Sequence, residues 1–205
     1  DLIVWFMGAK CKRVSSYGSL DFYTEKHAPE GSSAYCYDCR YVSDCPYSAE
    51  RIYIKDRAMK GHLGWPCDTI IPEPTVEKLR EALKRGPYGR CVYRCDNDVV
   101  DHQVVNMEFE NGSTAHLTMT AFGEHSRVVH YHCEKGEIFG EIDSNIIHCS
   151  IFGGEKYDIN VKRFADVFDG HGGGDSLMVD DVINSMNGKP SFGLTAVSAS
   201  MQSHI

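Results

Sequence analysis

The chain has 205 residues, of which 42% are apolar and 24% charged, and its formal net charge is −8. This length suits one large domain or two small ones, and the composition is typical of a soluble protein. The acidic excess argues against nucleic acid as the main partner, because phosphate backbones require an excess of Lys and Arg. No apolar run approaches the roughly 20 residues of a membrane span, so we predict no membrane partner.

The apolar run at the beginning of the chain predicts a helix end. Residues 2–7 are Leu-Ile-Val-Trp-Phe-Met, and Gly8 stops them. A helix commonly ends at such a glycine, so we interpret residues 1–8 as the last turns of a truncated helix. We therefore expect this chain to be the later part of a longer protein. Residues 13–17 then predict a strand that joins a sheet early.

Residues 21–50 predict a long polar loop that contains Cys36, Cys39 and Cys45. Thiolates two residues apart can hold one tetrahedral ion from a turn, and the third nearby thiol makes a structural zinc the natural candidate. The fourth ligand stays open among four side chains: Cys11, Cys67, His27 and His62. The alternative is that three reduced thiols simply pack the loop.

The total of nine cysteines is odd, and they are scattered through a chain large enough to fold without disulfides. Reduced thiols in a cytoplasmic protein therefore fit better than a disulfide framework.

Two helices are predicted in the first half of the chain. A short one runs from Ser48 to about Arg57, with Ile52 on its buried side. The second is capped by Thr75, covers residues 76–85 and ends at Gly86. Its apolar positions form one stripe, which predicts a surface helix that packs on the core.

Residues 98–162 predict an antiparallel sheet. Six runs alternate between apolar and polar residues, the period expected of half-buried strands, and turn signals such as Asn111-Gly112 separate them. Short connections favour a meander, because parallel strands need long crossovers. We therefore predict an α+β fold in which helices cover one face of a large, mostly antiparallel sheet.

Several histidines fall on the predicted strands. We interpret them as hydrogen-bonded sheet residues rather than metal ligands, because no local metal motif such as HExxH is present. They are His102, His116, His130, His132 and His148. Asp101 and His102 are adjacent, so alternation along a strand predicts that they point to opposite faces and form no dyad.

A run of three glycines precedes a predicted amphipathic helix. It begins at His171 and ends at Asp175, and it would let a ligand approach the backbone and the helix N-terminus closely. It is not a Rossmann GxGxxG motif, and the alternative is a flexible bend with Asp175 in the first helical turn. No nucleophile motif accompanies it, so the residues alone predict no self-contained active site.

Several segments resemble glucose–fructose oxidoreductase/inositol dehydrogenase-type proteins, the Gfo/Idh/MocA family. One is residues 94–109, which include Asp98-Val99-Val100-Asp101-His102-Gln103 and closely resemble the opening sheet segment of the family. The others lie at residues 18–20, 28–31, 45–49, 86–93 and 171–175, and their order is specific to one subgroup.

This resemblance implies a two-domain enzyme. An N-terminal Rossmann domain would bind NAD or NADP, and a C-terminal α+β domain would supply the substrate pocket and an oligomer interface. Residues 1–205 resemble the second domain only, and the α/β Rossmann domain is absent from them. The catalytic histidine or lysine of the family is then expected upstream of Asp1, and no catalytic residue is expected in this chain.

The resemblance also implies a carbohydrate substrate, such as a sugar, a cyclitol or a similar polyol. His171 and Asp175 are expected to bind its hydroxyls, together with Phe22, Tyr23 and Lys26. Two alternatives remain open, namely an NAD-dependent glycoside hydrolase and a non-catalytic dimerisation module. The uncovered sheet face predicts a homo-oligomer, because an exposed apolar face tends to pair with a second copy.

Overall fold

The computed structural model describes residues 2–123, 127–164, 173–190 and 201. These residues form an α+β fold with two antiparallel sheets. Within these ranges, no helix has both the length and the apolar character needed to cross a membrane.

The chain divides into two compact units. The helical unit contains Ser15–Asn106 and His116–Ala121, and the strand unit contains the other described residues. The boundaries fall inside strands β1 (Cys11–Ser19), β2 (His102–Phe109) and β3 (Thr114–Thr120), so each of these strands contributes to both units.

The core of the helical unit is built around α3 (Val76–Arg85), with the short helix α2 (Cys67–Ile70) beside it in the chain. Thr75 caps α3 as predicted, because its side chain accepts the backbone N–H of Lys78 at 3.2 Å. Leu79 and Leu83 are fully buried. They share the core with residues from loops and short helices: Cys36, Ala49, Ile54, Ala58 and Cys67.

This core corrects two expectations. The helix predicted from Ser48 to Arg57 is a π-helix at Glu50–Lys55, and Ile54 rather than Ile52 is fully buried. None of the buried residues around α3 belongs to a strand, so α3 packs on the folded loop region rather than on a sheet face. The helical period in the sequence identifies the apolar side of a helix, but it does not indicate which element packs against that side.

An ion pair also ties α3 to the π-helix. The Arg80 guanidinium donates to Glu50 through Nη2–Oε1 at 2.8 Å, and the Tyr37 hydroxyl donates to the same carboxylate. Burial alone would raise the pKa of Glu50, but the hydrogen bonds from Arg80 and Tyr37 lower it. The carboxylate therefore stays charged between two segments that pack on the same core.

The first sheet has the order β1-β2-β3. The strand predicted near residues 13–17 is β1, and it pairs with β2. The turn between β2 and β3 is closed by the Phe109 N–H, which donates to Ser113 O at 2.9 Å. Gly112 adopts φ +84° there, a conformation that glycine accepts at low cost.

The second sheet is the predicted meander. Strands β4 (Val128–Cys133), β5 (Gly136–Glu141), β6 (Ile146–Ile151) and β7 (Lys156–Asn160) pair antiparallel in chain order. The six predicted runs therefore correspond to β2 to β7, but they form two sheets instead of one. A period of two identifies a strand but does not indicate its partner, and among the described strands β3 pairs with β2 alone.

The strand unit also contains two helices, which come first and last in the order of its described elements. Helix α1 (Leu2–Met7) ends at Gly8, which has φ +60° and donates its N–H to Val4 O at 3.1 Å, as the sequence predicts. Helix α4 (Gly174–Met186) is followed by Gly188 in the same left-handed region. No residue of α4 is buried, so its apolar positions do not form the core-facing stripe expected of an amphipathic helix.

The fully buried Leu79 tests the core of the helical unit. Leu79→Ala is expected to lower the free energy of unfolding by about 2–5 kcal/mol, because it removes buried methyl groups and leaves a cavity. Chemical denaturation followed by circular dichroism measures the change. Met59→Ala is the control, since Met59 is 63% exposed and its truncation should change stability by less than about 0.5 kcal/mol. Equal effects of the two substitutions would contradict the placement of α3.

Candidate functional site

A buried carboxylate organises the loop that follows β1. The Asp101 side chain is 2% exposed. Its Oδ2 accepts the backbone N–H groups of Asp21 at 3.1 Å, Phe22 at 2.7 Å and Tyr23 at 3.2 Å. Three successive amides that converge on one oxygen form an anion-binding concavity, and here the anion is part of the chain itself. The residue directly before β2 thus fixes the backbone at residues 21–23.

The second oxygen of Asp101 accepts a hydrogen bond from its neighbour in sequence. Asp101 Oδ1 lies 2.7 Å from His102 Nδ1, and His102 Nε2 lies 3.4 Å from Ser19 Oγ. The expectation that Asp101 and His102 form no dyad is therefore wrong. Strand β2 begins at His102, so Asp101 precedes the strand and does not follow its alternation.

The order carboxylate, imidazole, hydroxyl also occurs in nucleophilic hydrolases. Here the same carboxylate also accepts three backbone amides, and the contact of His102 with Ser19 is long. We therefore assign Asp101 a positioning role for the loop. Burial would raise the pKa of Asp101, but the hydrogen bonds from His102 and the loop amides outweigh it and lower the pKa from 3.8 to about 2.

The anchored loop carries part of an aromatic cluster formed by Phe22, Tyr23, Tyr47 and Tyr93. The ring centroids of Phe22 and Tyr23 are 5.2 Å apart, those of Tyr23 and Tyr47 are 5.4 Å apart, and those of Phe22 and Tyr93 are 5.7 Å apart. Most of these pairs meet edge to face, a favourable arrangement for aromatic rings. Burial, followed by a hydrogen bond with Tyr47, raises the pKa of Tyr23 to about 12.

The structure brings together three of the five predicted substrate residues. Phe22 and Tyr23 belong to the aromatic cluster, and Lys26 follows in the short 3-10 helix Glu25–His27. The Lys26 ammonium donates to Asp21 Oδ1 at 2.5 Å, and this contact lowers the pKa of Asp21. Lys26 is thus exposed and held by the anchored loop.

The other two predicted residues belong to the end of the chain. His171 lies outside the described residues. Asp175 lies in the first turn of α4, in the strand unit, where its backbone is helical as predicted.

Tyr47 and Tyr93 were missed as site residues. Both fall inside segments that carry the family resemblance, Tyr47 after Cys45-Pro46 and Tyr93 after Cys91-Val92. The segments therefore contained a signal, but only the folded chain places their rings against Phe22.

The predicted cysteine group is brought to one place. Cys36, Cys39 and Cys45 line a single cavity of the helical unit, and Cys91 lines it as well. Burial raises the pKa values of the Cys36 and Cys91 thiols, and the neighbouring cysteines add to this effect. All nine cysteines of the chain are free thiols, as the sequence predicts.

The strand unit carries a histidine-rich sheet face. His130 and His132 follow each other on this face of β4, and Glu137 lies opposite His132 on β5. One ligand atom from each lies within 4.8 Å of the other two, and His130 Nε2 is 3.1 Å from Glu137 Oε2. His148 on β6 pairs with Asp158 through Nδ1 and Oδ1 at 2.6 Å. His130 and His148 are hydrogen-bonded as expected, yet two imidazoles and one carboxylate are also a ligand set for zinc or ferrous iron.

No protein-family model, curated protein or solved structure matches this chain. The resemblance to the Gfo/Idh/MocA family therefore rests on the sequence segments quoted above.

The Asp101 anchor makes stability depend on pH. Because the folded-state pKa of Asp101 is lowered from 3.8 to about 2, its contribution is fully present above about pH 4 and is lost as the pH falls towards about 2. Asp101→Asn is expected to destabilise the protein at neutral pH. Urea denaturation of both proteins across this pH range should give a difference that shrinks with acidification.

Asp98→Asn is the matched control, because Asp98 is exposed in the same segment. It should leave stability nearly unchanged. A difference between wild type and Asp101→Asn that stays constant down to pH 2 would contradict the assignment.

Proposed function

We propose that this chain is the C-terminal substrate-binding and oligomerisation domain of an NAD(P)-dependent oxidoreductase. The substrate class is a sugar, a cyclitol or a similar polyol. NAD or NADP and the catalytic base would belong to a Rossmann domain outside these residues, in a cytoplasmic protein with reduced thiols. The observation that carries the proposal is the aromatic cluster fixed beside the Asp101 anchor.

The chemistry of the aromatic cluster suits a polyol. An aromatic ring packs against the C–H groups of a sugar, while tyrosine hydroxyls both donate and accept hydrogen bonds. Phe22 and Tyr23 are only partly buried, and so is Tyr47. Apolar rings with a few placed polar groups are typical of small-molecule sites.

The anchor adds pre-organisation to this chemistry. Three amide hydrogen bonds to Asp101 hold the backbone that bears Phe22 and Tyr23. A loop that is already ordered loses less conformational entropy on binding a ligand. Lys26, held by Asp21, would need only to exchange one carboxylate contact for a substrate hydroxyl.

The proposed site is tested in the intact parent protein by following NAD(P) reduction with a panel of polyols. Phe22→Leu is expected to raise KM about tenfold, which corresponds to about 1.4 kcal/mol of lost binding. Tyr17→Leu is the control, because Tyr17 is 72% exposed on β1, outside the aromatic cluster, and should leave KM unchanged.

Other outcomes separate the alternatives. Release of the aryl alcohol from an aryl glycoside without net cofactor reduction would indicate an NAD-dependent glycoside hydrolase. Unchanged kinetics for Phe22→Leu and for Tyr23→Leu would contradict the site. The absence of any activity that depends on these residues would favour a non-catalytic dimerisation module.

The proposed homo-oligomer uses one face of the four-stranded sheet. The register aligns Tyr131, Ile138, Cys149 and Tyr157 across the four strands, and the neighbouring row on the opposite face begins at His130. Ile138 is 41% exposed and Tyr157 is 48% exposed. An apolar row that is partly exposed beside a polar opposite face favours pairing with a second copy through the apolar side.

Light scattering of the intact protein at micromolar concentration tests the interface. Ile138→Lys is expected to shift the assembly towards the monomer, because it places a charge in the apolar row. Ser150→Lys, on the opposite face of β6, should leave the mass unchanged. A monomeric wild-type protein would contradict the interface.

A further inference from the structure

The cavity that receives Cys36, Cys39 and Cys45 has a fourth thiol in its wall. Cys91 is far from the other three in sequence, yet it lines the same cavity, whose remaining lining is mostly apolar and aromatic. The four alternatives considered from sequence, Cys11, Cys67, His27 and His62, do not line it. Cys67 belongs to the core around α3, where its thiol donates to Tyr53 O at 3.8 Å.

Backbone contacts explain why Cys91 meets the loop. Tyr35 and Arg90 form an isolated antiparallel bridge, and the Cys91 N–H donates to Ala34 O at 2.8 Å. Cys91 therefore lies opposite Ala34, and Cys36 and Cys91 flank the bridged pair on the same face of the two segments. Cys36 Sγ lies 4.0 Å from Arg90 O.

Turns hold the other two thiols. The Cys39 N–H donates to Cys36 O at 3.1 Å, as in a tight turn between two ligands. The Cys45 N–H donates to Tyr41 O at 2.8 Å. All four cysteines are thus carried by backbone that is hydrogen-bonded independently of any ion.

Two observations point to an occupant of the cavity. Ser48 lines it and is 1% exposed, yet its Oγ has no hydrogen-bond partner among the described residues, and neither does the buried Oγ of Ser32. Burial of a hydroxyl without a hydrogen-bond partner costs free energy. A bound group that gives these hydroxyls a partner would remove that cost. In addition, the Ala49 N–H donates to Cys36 Sγ at 3.5 Å, a contact that stabilises a thiolate.

We propose that Cys36, Cys39, Cys45 and Cys91 bind one zinc ion. Four thiolates around a closed site are the ligand set of structural zinc, with each sulfur about 2.3 Å from the metal. The proposal does not depend on the proposed oxidoreductase function. The role of the zinc ion is structural, since it would join residues 36–45 to the segment at Cys91 and thereby stabilise the helical unit.

Zinc binding requires the thiols to converge. Among the described residues, the only three potential ligand atoms within 4.8 Å of one another belong to His130, His132 and Glu137. No three of the cavity sulfurs are that close together, so they are more widely spaced than in a zinc complex. The sulfur of cysteine moves on a single side-chain torsion. Binding of the ion therefore requires these side chains to rotate into the cavity.

Metal analysis and cobalt substitution of the full-length protein, prepared under reducing conditions, test the site. Wild type is expected to hold about one zinc per chain, and Co²⁺ in its place should give thiolate-to-metal charge-transfer absorption typical of a tetrahedral four-sulfur site. Cys91→Ser should lower zinc affinity at least tenfold and weaken this absorption. Cys95→Ser is the matched control, because Cys95 is exposed four residues later and does not line the cavity.

A second measurement on the wild-type protein avoids any folding defect of the variant. Thiol labelling followed by mass spectrometry should find the four cavity cysteines protected by zinc and reactive after chelation, while Cys95 and Cys133 react in both states. Zinc-independent labelling of Cys91, or equal zinc affinity in Cys91→Ser and Cys95→Ser, would overturn the proposal. So would a wild-type protein that binds no zinc, or one that holds iron and sulfide instead.

Discussion

The Asp101 carboxylate is the constraint on which the candidate site depends. It accepts four hydrogen bonds, three from successive loop amides and one from His102, although its side chain is almost fully buried. A buried charge persists only when its oxygens are satisfied in this way. The same contacts fix the backbone that carries Phe22 and Tyr23 and, through Asp21, the position of Lys26. Two of the four rings in the aromatic cluster therefore depend on one residue that directly precedes β2.

Local patterns in the sequence predict the elements of the fold but not their partners. The Thr75 cap, the glycine end of α1 and the strands β2 to β7 follow from periodicity and turn chemistry that lie within a few residues. The division of these strands into two sheets and the packing of α3 on the loop region depend on contacts between distant residues. Alternation between apolar and polar residues is the same for a strand in either sheet, so no local signal distinguishes the strands of the first sheet from those of the second.

The candidate site also combines features that are local in the sequence with features that depend on distant residues. The spacing of Cys36, Cys39 and Cys45 is local and visible in the sequence, whereas Cys91 joins them only through the bridge between Tyr35 and Arg90. The pairing of Asp101 with His102 was mispredicted because it depends on which residue begins β2. A shift of one residue in the start of β2 decides whether the two neighbouring side chains point to opposite faces or contact each other. Sequence patterns do not locate the ends of strands to within one residue.

Residue-resolved amide hydrogen exchange at Phe22 and Tyr23 tests the central claim most directly. Both amides lie outside any helix or sheet but donate to a buried carboxylate, so they are expected to exchange much more slowly than in an unstructured peptide. This protection should disappear at both positions together when Asp101 is replaced by Asn. Exchange in the wild-type protein at the rate of an exposed loop, or protection that survives the replacement, would contradict the account.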